Sequence, residues 1–274
     1  MMCCKVDKII VNKANIELHK LEAQYYDQVH FEIFNKAEQK YIDETLSKLW
    51  KQLKSEQISL DIGCGTGNII KREQKFFGQA IGLDLSKSML LKLKERTESQ
   101  NLSLVCGDCE NLPFKDNIFD FISMYSTLHH LPRPILGLKE MFRALKIGSM
   151  IYVAHEPNAQ KNRLFLHPIQ IMFALLGQFI TKKKIKYPHL ISCQKKLGPL
   201  TDIQAPYGFS SHEIKTRLEF IGFSNVNVAF HDFFQSIFAA LPRPFNQLVK
   251  LDHLLEENKF IAPLCNTIII TAKK

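Results

Sequence analysis

Short apolar runs alternate with amphipathic stretches through the middle of the chain, from about residue 56 to residue 156. The runs are short enough for buried strands and are bounded by turn residues; they cover 58–62, 80–84, 102–106, 119–125 and 150–154. Between the last two, residues 135–145 carry apolar side chains at helical spacing. Because strand and helix signals alternate, the sequence predicts an α/β fold built on a doubly wound, mainly parallel sheet.

The first predicted strand runs into a turn with glycine at alternate positions, Gly63, Gly65 and Gly67. Glycine lets the chain turn sharply and lets a ligand lie against bare backbone. A dinucleotide-binding fingerprint has a different spacing, G-x-G-x-x-G. Here Asp61 also lies on the strand just before the loop. A carboxylate in that position suits an ammonium group or ordered water better than a pyrophosphate, so a nicotinamide dehydrogenase is the weakest alternative.

Residues 60–68, LDIGCGTGN, resemble the first motif of the class I S-adenosylmethionine-dependent methyltransferases. The resemblance implies that S-adenosyl-L-methionine is the cofactor and that the glycine loop packs against its methionine and ribose portions. It also implies a Rossmann-like sheet of seven strands, the last of them antiparallel. The motif residues expected to contact the cofactor are Asp61, Gly63, Cys64, Gly65, Gly67 and Asn68.

An acid ends the second predicted strand, Asp84, about 20 residues beyond the loop, where a carboxylate can accept from both ribose hydroxyls. The competing interpretation is that Asp84 only caps the helix that begins at Ser86. Leu85 and Met89 follow on the same side and are expected either to contact ribose or adenine or to belong to the core.

Two further segments resemble the same family. Residues 107–114, GDCENLPF, match a segment in which the acid and the next backbone N–H bind adenine, which assigns those roles to Asp108 and Cys109. Taken alone, that segment is typical of a surface turn. The strand 119–125 and the LHHL that follows resemble another family block, and this places Met124 and Tyr125 at the sulfonium end of the cofactor.

Methyl transfer depends mainly on alignment of donor and acceptor, so a general base is optional. If the acceptor is a hydroxyl or phenol, a base would help, and histidine titrates near neutrality. The candidates near the predicted crevice are His129, His130, His155 and Glu156. The alternative is that the histidine pair is structural.

Segments outside the sheet pattern complete the domain organisation. Residues 1–55 are expected to form an N-terminal helical cap, with an amphipathic helix over 38–53 and an aromatic lid residue at Tyr25 or Tyr26. Residues 56–274 are expected to form the S-adenosylmethionine-binding domain. Its insertions at about 157–206 and 233–263 are expected to form a lid and an apolar acceptor pocket.

The most apolar stretch lies in the first insertion, at 164–180, and lysines follow it to residue 186. It is too short and too interrupted for a confident membrane-spanning helix. Three roles stay open for it: packing in the core, covering an apolar substrate, and peripheral contact with a membrane surface.

Composition narrows the picture further. The chain of 274 residues has a formal net charge of +9, which gives weak support to an anionic partner. Its 7 cysteines show neither regular pairing nor metal-ligand spacing, and no secretory signal is visible, so reduced thiols, a cytoplasmic location and no bound metal are expected.

The leading hypothesis is therefore a methyltransferase that acts on a small, apolar or lipid-like acceptor by in-line displacement. Methylation of nucleic acid is an alternative suggested by the positive charge. It is disfavoured because residues 123–126 lack the Asn/Asp-Pro-Pro-aromatic motif of base-amino methyltransferases and no RNA-binding module is evident. A cofactor-binding module without catalytic activity is the remaining alternative.

Overall fold

A computed structural model describes residues 7–53, 57–160, 188–232, 256, 258 and 262–274. The strands are β1 Ile58–Ile62, β2 Gln79–Asp84, β3 Leu102–Cys106, β4 Phe119–Tyr125, β5 Leu145–Pro157, β6 Ser224–His231 and β7 Thr267–Lys273. The helices are α1 Lys8–Glu22, α2 Tyr26–Val29, α3 Phe31–Phe34, α4 Lys36–Trp50, α5 Ile70–Phe76, α6 Lys87–Glu95, α7 Pro134–Ala144, α8 Pro188–Thr201 and α9 Ser211–Ile221.

The strands form one sheet of seven in the order β3-β2-β1-β4-β5-β7-β6. Strands β1 to β5 pair in parallel, and β7 runs antiparallel to both β5 and β6. The strand order reverses between β1 and β4, which is where such sheets open a ligand crevice. The predicted doubly wound sheet with an antiparallel last strand is therefore confirmed.

Apolar side chains pack on both faces of the sheet, and the residues of β4 contribute to the core on each face. Ile122 and Met124 belong to the core on one face, whereas Phe121 and Tyr125 belong to the core on the other. Side chains alternate along a strand, so a central strand covered on both faces is apolar at nearly every position. On the second face, Trp50 at the end of α4 stacks on Phe76 with ring centroids 4.6 Å apart.

The N-terminal segment contains more helix than the 38–53 pattern predicted. Helix α4 covers most of that range and begins after Asn35, whose Oδ1 accepts from the N–H groups of Ala37 and Glu38 at 3.0 Å. Helix α1 lies upstream and was not predicted. Its residues Ala14 and Leu18 pack against Leu197 of α8.

The predicted apolar helix at 164–180 and most of 233–263 lie outside the described residues. In the part of the chain that the structure describes, no helix is long and apolar enough to cross a membrane.

Candidate active site

A cleft of about 730 Å³ opens at the carboxyl ends of β1, β2 and β4, where the strand order reverses. The sheet, its loops and helix α1 all contribute to its walls. The lining residues are Asn12, Asn15, His19, Tyr26, Ile62, Gly63, Gly65, Leu83, Asp84, Leu85, Met89, Gly107, Asp108, Cys109, Tyr125, Ser126, Thr127, His130, Leu131 and Pro132.

A smaller recess of about 330 Å³ adjoins the cleft across the glycine loop. It is more aromatic than the cleft and reaches toward α3 and the start of α5. Its lining residues are Tyr26, Ile33, Phe34, Asp61, Gly63, Cys64, Gly65, Thr66, Asn68, Ile69, Tyr125 and Ser126.

Backbone hydrogen bonds hold the glycine loop against the neighbouring strand, β2. The N–H groups of Gly63 and Cys64 donate to the carbonyl oxygen of Leu83, at 2.7 and 3.1 Å. Gly63 has a φ of +69°, and a Cβ atom there would lie 2.2 Å from Oγ1 of Thr127. The loop therefore needs glycine at position 63, and both Gly63 and Gly65 line the cleft.

Three other motif residues lie away from the main cleft. Gly67 serves packing, because a Cβ atom there would lie 2.5 Å from Leu93 of α6. Cys64 is buried and lines the recess. Asn68 also lines the recess, where its Oδ1 accepts from Nε2 of Gln39 at 2.9 Å. Its buried Nδ2 has no partner among the described residues, and this donor suits an oxygen such as the carboxylate of a methionine group.

Asp84 occupies the end of β2 and faces the cleft. Its two oxygens accept from the backbone N–H groups of Gly65, at 2.9 Å, and Ser86, at 2.7 Å. Burial raises the pKa of this carboxyl above its usual value, despite those hydrogen bonds. The capping contact and the cleft position thus coexist, and Leu85 and Met89 line the cleft beside it.

Asp61 is placed differently from the other two strand-end acids. It is 1% exposed and accepts from the N–H of Ile70 and from the Ser123 hydroxyl, both at 3.0 Å. The same hydroxyl lies 2.6 Å from Oε1 of Glu73. Burial raises the pKa of both carboxyls, and their mutual repulsion raises that of Asp61 further. These contacts hold α5 onto the sheet, and a direct contact of Asp61 with an ammonium group stays a prediction.

Asp108 and Cys109 line the far end of the cleft, after β3. One oxygen of Asp108 accepts from the N–H of Glu110 at 2.9 Å. The other lies 2.5 Å from Nζ of Lys8 and 3.3 Å from Nδ2 of Asn12. Helix α1 thus reaches the acid that is expected to bind adenine, and residues upstream of the glycine motif help to close the site.

At the end of β4, the structure separates the two residues predicted for the sulfonium end. Tyr125 lines both cavities, and its hydroxyl donates to Oε1 of Glu38 at 2.6 Å. Met124 is 0% exposed and belongs to the core beneath the sheet. The Met124 side chain lines neither cavity, because consecutive strand residues point to opposite faces, and its place at the sulfonium end of the cofactor stays a prediction.

Two of the four candidate bases form a buried structural unit. Glu156 is 0% exposed and accepts from the N–H groups of Thr127, Leu128 and His129 at 2.8 to 3.0 Å. It also lies 2.8 Å from Nδ1 of His129. Of the four candidates only His130 lines the cleft, and none of the four lines the recess. Their contacts favour positioning of the turn after β4 over proton transfer to an acceptor.

The other two candidates are better exposed. His130 lines the cleft, and its Nδ1 lies 3.0 Å from Oδ1 of Asp202 and 3.1 Å from the carbonyl oxygen of Thr201. Burial lowers the pKa of His130, but Asp202 outweighs it and the net shift is upward. His155 has a φ of +58° and stacks on Tyr125 with centroids 5.3 Å apart.

Helix α1 supplies lining residues that sequence reasoning missed, namely Asn12, Asn15 and His19. Their spacing of three and four residues places them on one helical face, and that periodicity was the available signal. Tyr26, the predicted lid residue, does line both cavities, with its ring 4.3 Å from that of His30.

Comparisons with known proteins agree with this architecture. A family model described as a methyltransferase domain matches residues 60–153. Over 197 residues, the chain is 32% identical to demethylmenaquinone methyltransferase of Staphylococcus carnosus (strain TM300), covering 66% of this chain and 76% of that protein. Its counterpart in Staphylococcus aureus (strain JH9) is 30% identical over 239 residues, covering 79% and 89%.

A solved structure of Haemonchus contortus phosphoethanolamine N-methyltransferase 2 in complex with S-adenosyl-L-methionine has a similar fold. The TM-score is 0.55 at 18% identity, and the match covers 85% of this chain and 52% of that one. The fold and the cleft define a Rossmann-like α/β protein with a site for a nucleoside at the strand ends.

More narrowly, the chain belongs to the class I S-adenosylmethionine-dependent methyltransferases. It is an enzyme whose cofactor is S-adenosyl-L-methionine. The cleft and the adjoining recess fit that group. In the cleft, glycine at position 63 leaves bare backbone and Asp84 ends β2; in the recess, the buried amide of Asn68 lacks an acceptor among the described residues.

Proposed function

We propose that this methyltransferase transfers a methyl group to a small lipid-like acceptor that carries a quinol ring. The observation that carries the proposal is the extent of similarity to relatives named demethylmenaquinone methyltransferase. The match at 30% identity covers 89% of the Staphylococcus aureus protein and extends well beyond the cofactor motifs. The elements outside those motifs are the ones expected to select the acceptor.

The recess beside the glycine loop supports an aromatic acceptor. The rings of Tyr26, Phe34 and Tyr125 line it together with Ile33. Flat aromatic groups pack well against such rings. S-adenosylmethionine supplies a methyl group on a positively charged sulfur, and the protein's task is to hold an acceptor carbon or oxygen in line with it and to exclude water.

The cofactor roles expected from the resemblance form part of the proposal. Asp84 holds the ribose hydroxyls, and Asp108 with the backbone N–H of Cys109 holds adenine. The support is that these residues line one cleft together with Gly63 and Gly65. Asn68 donates to the methionine carboxylate from the recess.

Methylation of a quinol carbon replaces a ring proton, so one group must accept that proton. We assign this role to His155. It is half-buried at the end of β5 and stacks on Tyr125, which borders the recess. Its left-handed backbone conformation is uncommon among residues other than glycine and is of the kind found at functional sites. His130 suits the role less well, because its Nδ1 is already engaged by Asp202 and by the carbonyl oxygen of Thr201.

The acceptor's lipid tail would need an apolar path, and contact with a membrane surface through 164–186 would supply one. That contact and the cytoplasmic location stay predictions. Nucleic acid as the acceptor has no observation in its favour beyond the charge of +9.

The proposal is tested by incubating the purified chain with methyl-labelled S-adenosylmethionine and a demethylated naphthoquinone with a short isoprenoid tail. Dithionite reduces the quinone in one arm and is omitted from the other, and tRNA replaces the quinone in a third. Label is expected only in the reduced quinone. Label in the tRNA alone, or no labelled quinol from protein that binds the cofactor, would contradict the proposal.

The role of His155 is tested with His155→Gln, and His130→Gln is the matched control. The first variant is expected to lower kcat for the quinol at least about tenfold with little change in cofactor affinity, because general bases contribute factors of that size or more. The second is expected to change KM for the cofactor more than kcat. The reverse pattern would mean that His130, and not His155, accepts the ring proton.

A further inference from the structure

The N-terminal helix forms one wall of the cofactor cleft. Asn12, Asn15 and His19 of α1 face the cleft, and we call these three residues the helical wall. At its start, α1 is fixed to the cofactor domain by Lys8, whose Nζ lies 2.5 Å from Asp108 and 3.1 Å from Glu110.

Asn15 stands out within the helical wall, because one of its two polar atoms lacks a partner. Its residue exposure is 6%, and its Nδ2 donates to the carbonyl oxygen of Val11 at 3.1 Å. That bond orients the amide and leaves Oδ1 as a buried acceptor without a donor in the described structure. A buried carbonyl oxygen without a hydrogen bond is unfavourable and calls for an explanation.

The neighbouring side chains of α1 do not supply the missing donor. Asn12, one turn earlier, donates to Asp108. His19, one turn later, hydrogen-bonds the backbone of Asn15 and not its side-chain oxygen. A donor that arrives with a molecule bound in the cleft would satisfy Oδ1 of Asn15.

We propose that Asn15 reads the nucleoside half of the cofactor, with its Oδ1 accepting a hydrogen bond from an N–H or O–H group of the bound molecule. Two groups of the nucleoside have this chemistry, the amine of adenine and the ribose hydroxyls. Asn12 of the same face contacts Asp108, the acid expected at adenine, and His19 packs edge-on to His130, whose charge reaches Asp84, the acid expected at ribose. Asn15 lies between them in the sequence of α1.

This assignment makes α1 part of the cofactor site. It depends on the family's cofactor and on no property of the acceptor, so binding measurements test it separately from the proposed quinol chemistry.

The test is Asn15→Leu, which keeps the number and branching of the side-chain heavy atoms and removes both polar atoms. S-adenosylhomocysteine, the demethylated cofactor, is the probe in calorimetric titrations of the full chain. The variant is expected to bind it about tenfold more weakly, while the Tm of the unliganded protein stays the same or rises because an unsatisfied buried acceptor is gone. A residue with a purely structural role would lower Tm and leave the affinity of the folded protein unchanged.

Asn15→Ala distinguishes a lost hydrogen bond from steric blocking by leucine, and Glu17→Ala, on the exposed side of α1, is the control. Both Asn15 variants should lose affinity, and the control should not. If both bind S-adenosylhomocysteine as the unchanged protein does, the proposal is overturned.

Analogues then identify the donor. S-inosylhomocysteine lacks the adenine amine, and 2′-deoxy and 3′-deoxy forms of S-adenosylhomocysteine lack one ribose hydroxyl each. The unchanged protein should bind each analogue more weakly, and the penalty for one of them should shrink in Asn15→Ala. Equal penalties in both proteins for all three analogues would overturn the proposal.

Discussion

The two walls of the cofactor cleft are held in place by different kinds of bond. The sheet wall, which consists of the loop 63–67 and Asp84, is fixed through the main chain. Backbone N–H groups of the loop donate to Leu83, and Asp84 accepts from two further backbone N–H groups. The helical wall is fixed through side chains, by the ion pairs of Lys8 and by the packing of Ala14 and Leu18 against Leu197.

The two kinds of bond contribute differently to the stability of the walls. Main-chain bonds within a buried sheet cannot be given up singly without disturbing the fold. Ion pairs between partly exposed side chains contribute little, so Lys8 adds little to the free energy that holds the helical wall against the sheet.

The largest expected effect comes from Gly63→Ala in the sheet wall. The new Cβ would meet Thr127 at a φ of +69°, and we expect a loss of about 2–4 kcal/mol in the free energy of unfolding, together with loss of cofactor binding. Gly148→Ala is the matched control, because it has a φ of +81° with nothing within 4 Å. Urea unfolding should give a loss of about 1 kcal/mol there. Equal losses at both positions would mean that close packing at Gly63 is unimportant.

The next effect concerns pH. Burial raises the pKa of Glu73 from 4.5 to about 7. The folded protein therefore holds this proton more tightly than the unfolded chain, so stability is full below pH 4.5 and falls as pH rises through about 7. Glu73→Gln should add about 2 kcal/mol to the free energy of unfolding at pH 8 and flatten the pH profile. Glu17→Gln, on the surface, is the control and should change neither the free energy of unfolding nor its pH profile. An unchanged profile in Glu73→Gln would mean that other groups cause the pH dependence of stability.

Asp84→Asn follows. Its amide cannot accept the same pair of hydrogen bonds and carries no charge, so affinity for S-adenosylhomocysteine should fall at least about tenfold. Asp120→Asn is the control, since Asp120 is also buried and accepts from the N–H of Ile58 and from Lys146, away from the cleft. Both variants should lose stability, but only the first should lose affinity in calorimetry. Unchanged affinity in Asp84→Asn would contradict the proposal that Asp84 binds the ribose hydroxyls.

The smallest effect is expected for Lys8→Met in the anchor of the helical wall. The Lys8 and Asp108 side chains are 29% and 27% exposed, so the free energy of unfolding should change by less than about 1 kcal/mol. Cofactor affinity should change less than about threefold. Lys40→Met, in an exposed pair with Glu44, is the control. A loss as large as that of Asp84→Asn would show that both walls are held equally firmly.

The same difference explains what could be predicted from the sequence. The sheet wall was predictable, because glycine spacing and strand-end acids record main-chain geometry directly. The predicted strand 58–62 coincides with β1, and Asp84 and Asp108 do line one cleft. The helical wall was not predicted, because the polar residues of α1 face a cavity that other elements create.

Two further differences have local causes. Met124 and Tyr125 are neighbours in sequence, but strand alternation sends only one of them to the cleft. Glu156 was a candidate base because it follows the predicted strand 150–154, but its carboxylate accepts from three backbone N–H groups of the turn after β4. Only the three-dimensional pairing of β4 with β5 brings these groups together.

The position of Glu156 has a practical meaning for redesign of this enzyme. One carboxylate ties the turn that carries Thr127 and His130 to the end of β5, and Thr127 in turn abuts Gly63. Libraries aimed at new acceptors should therefore keep residue 156 constant and randomise Ile33 and Phe34, which border the recess from short helical segments and make no bond to that turn.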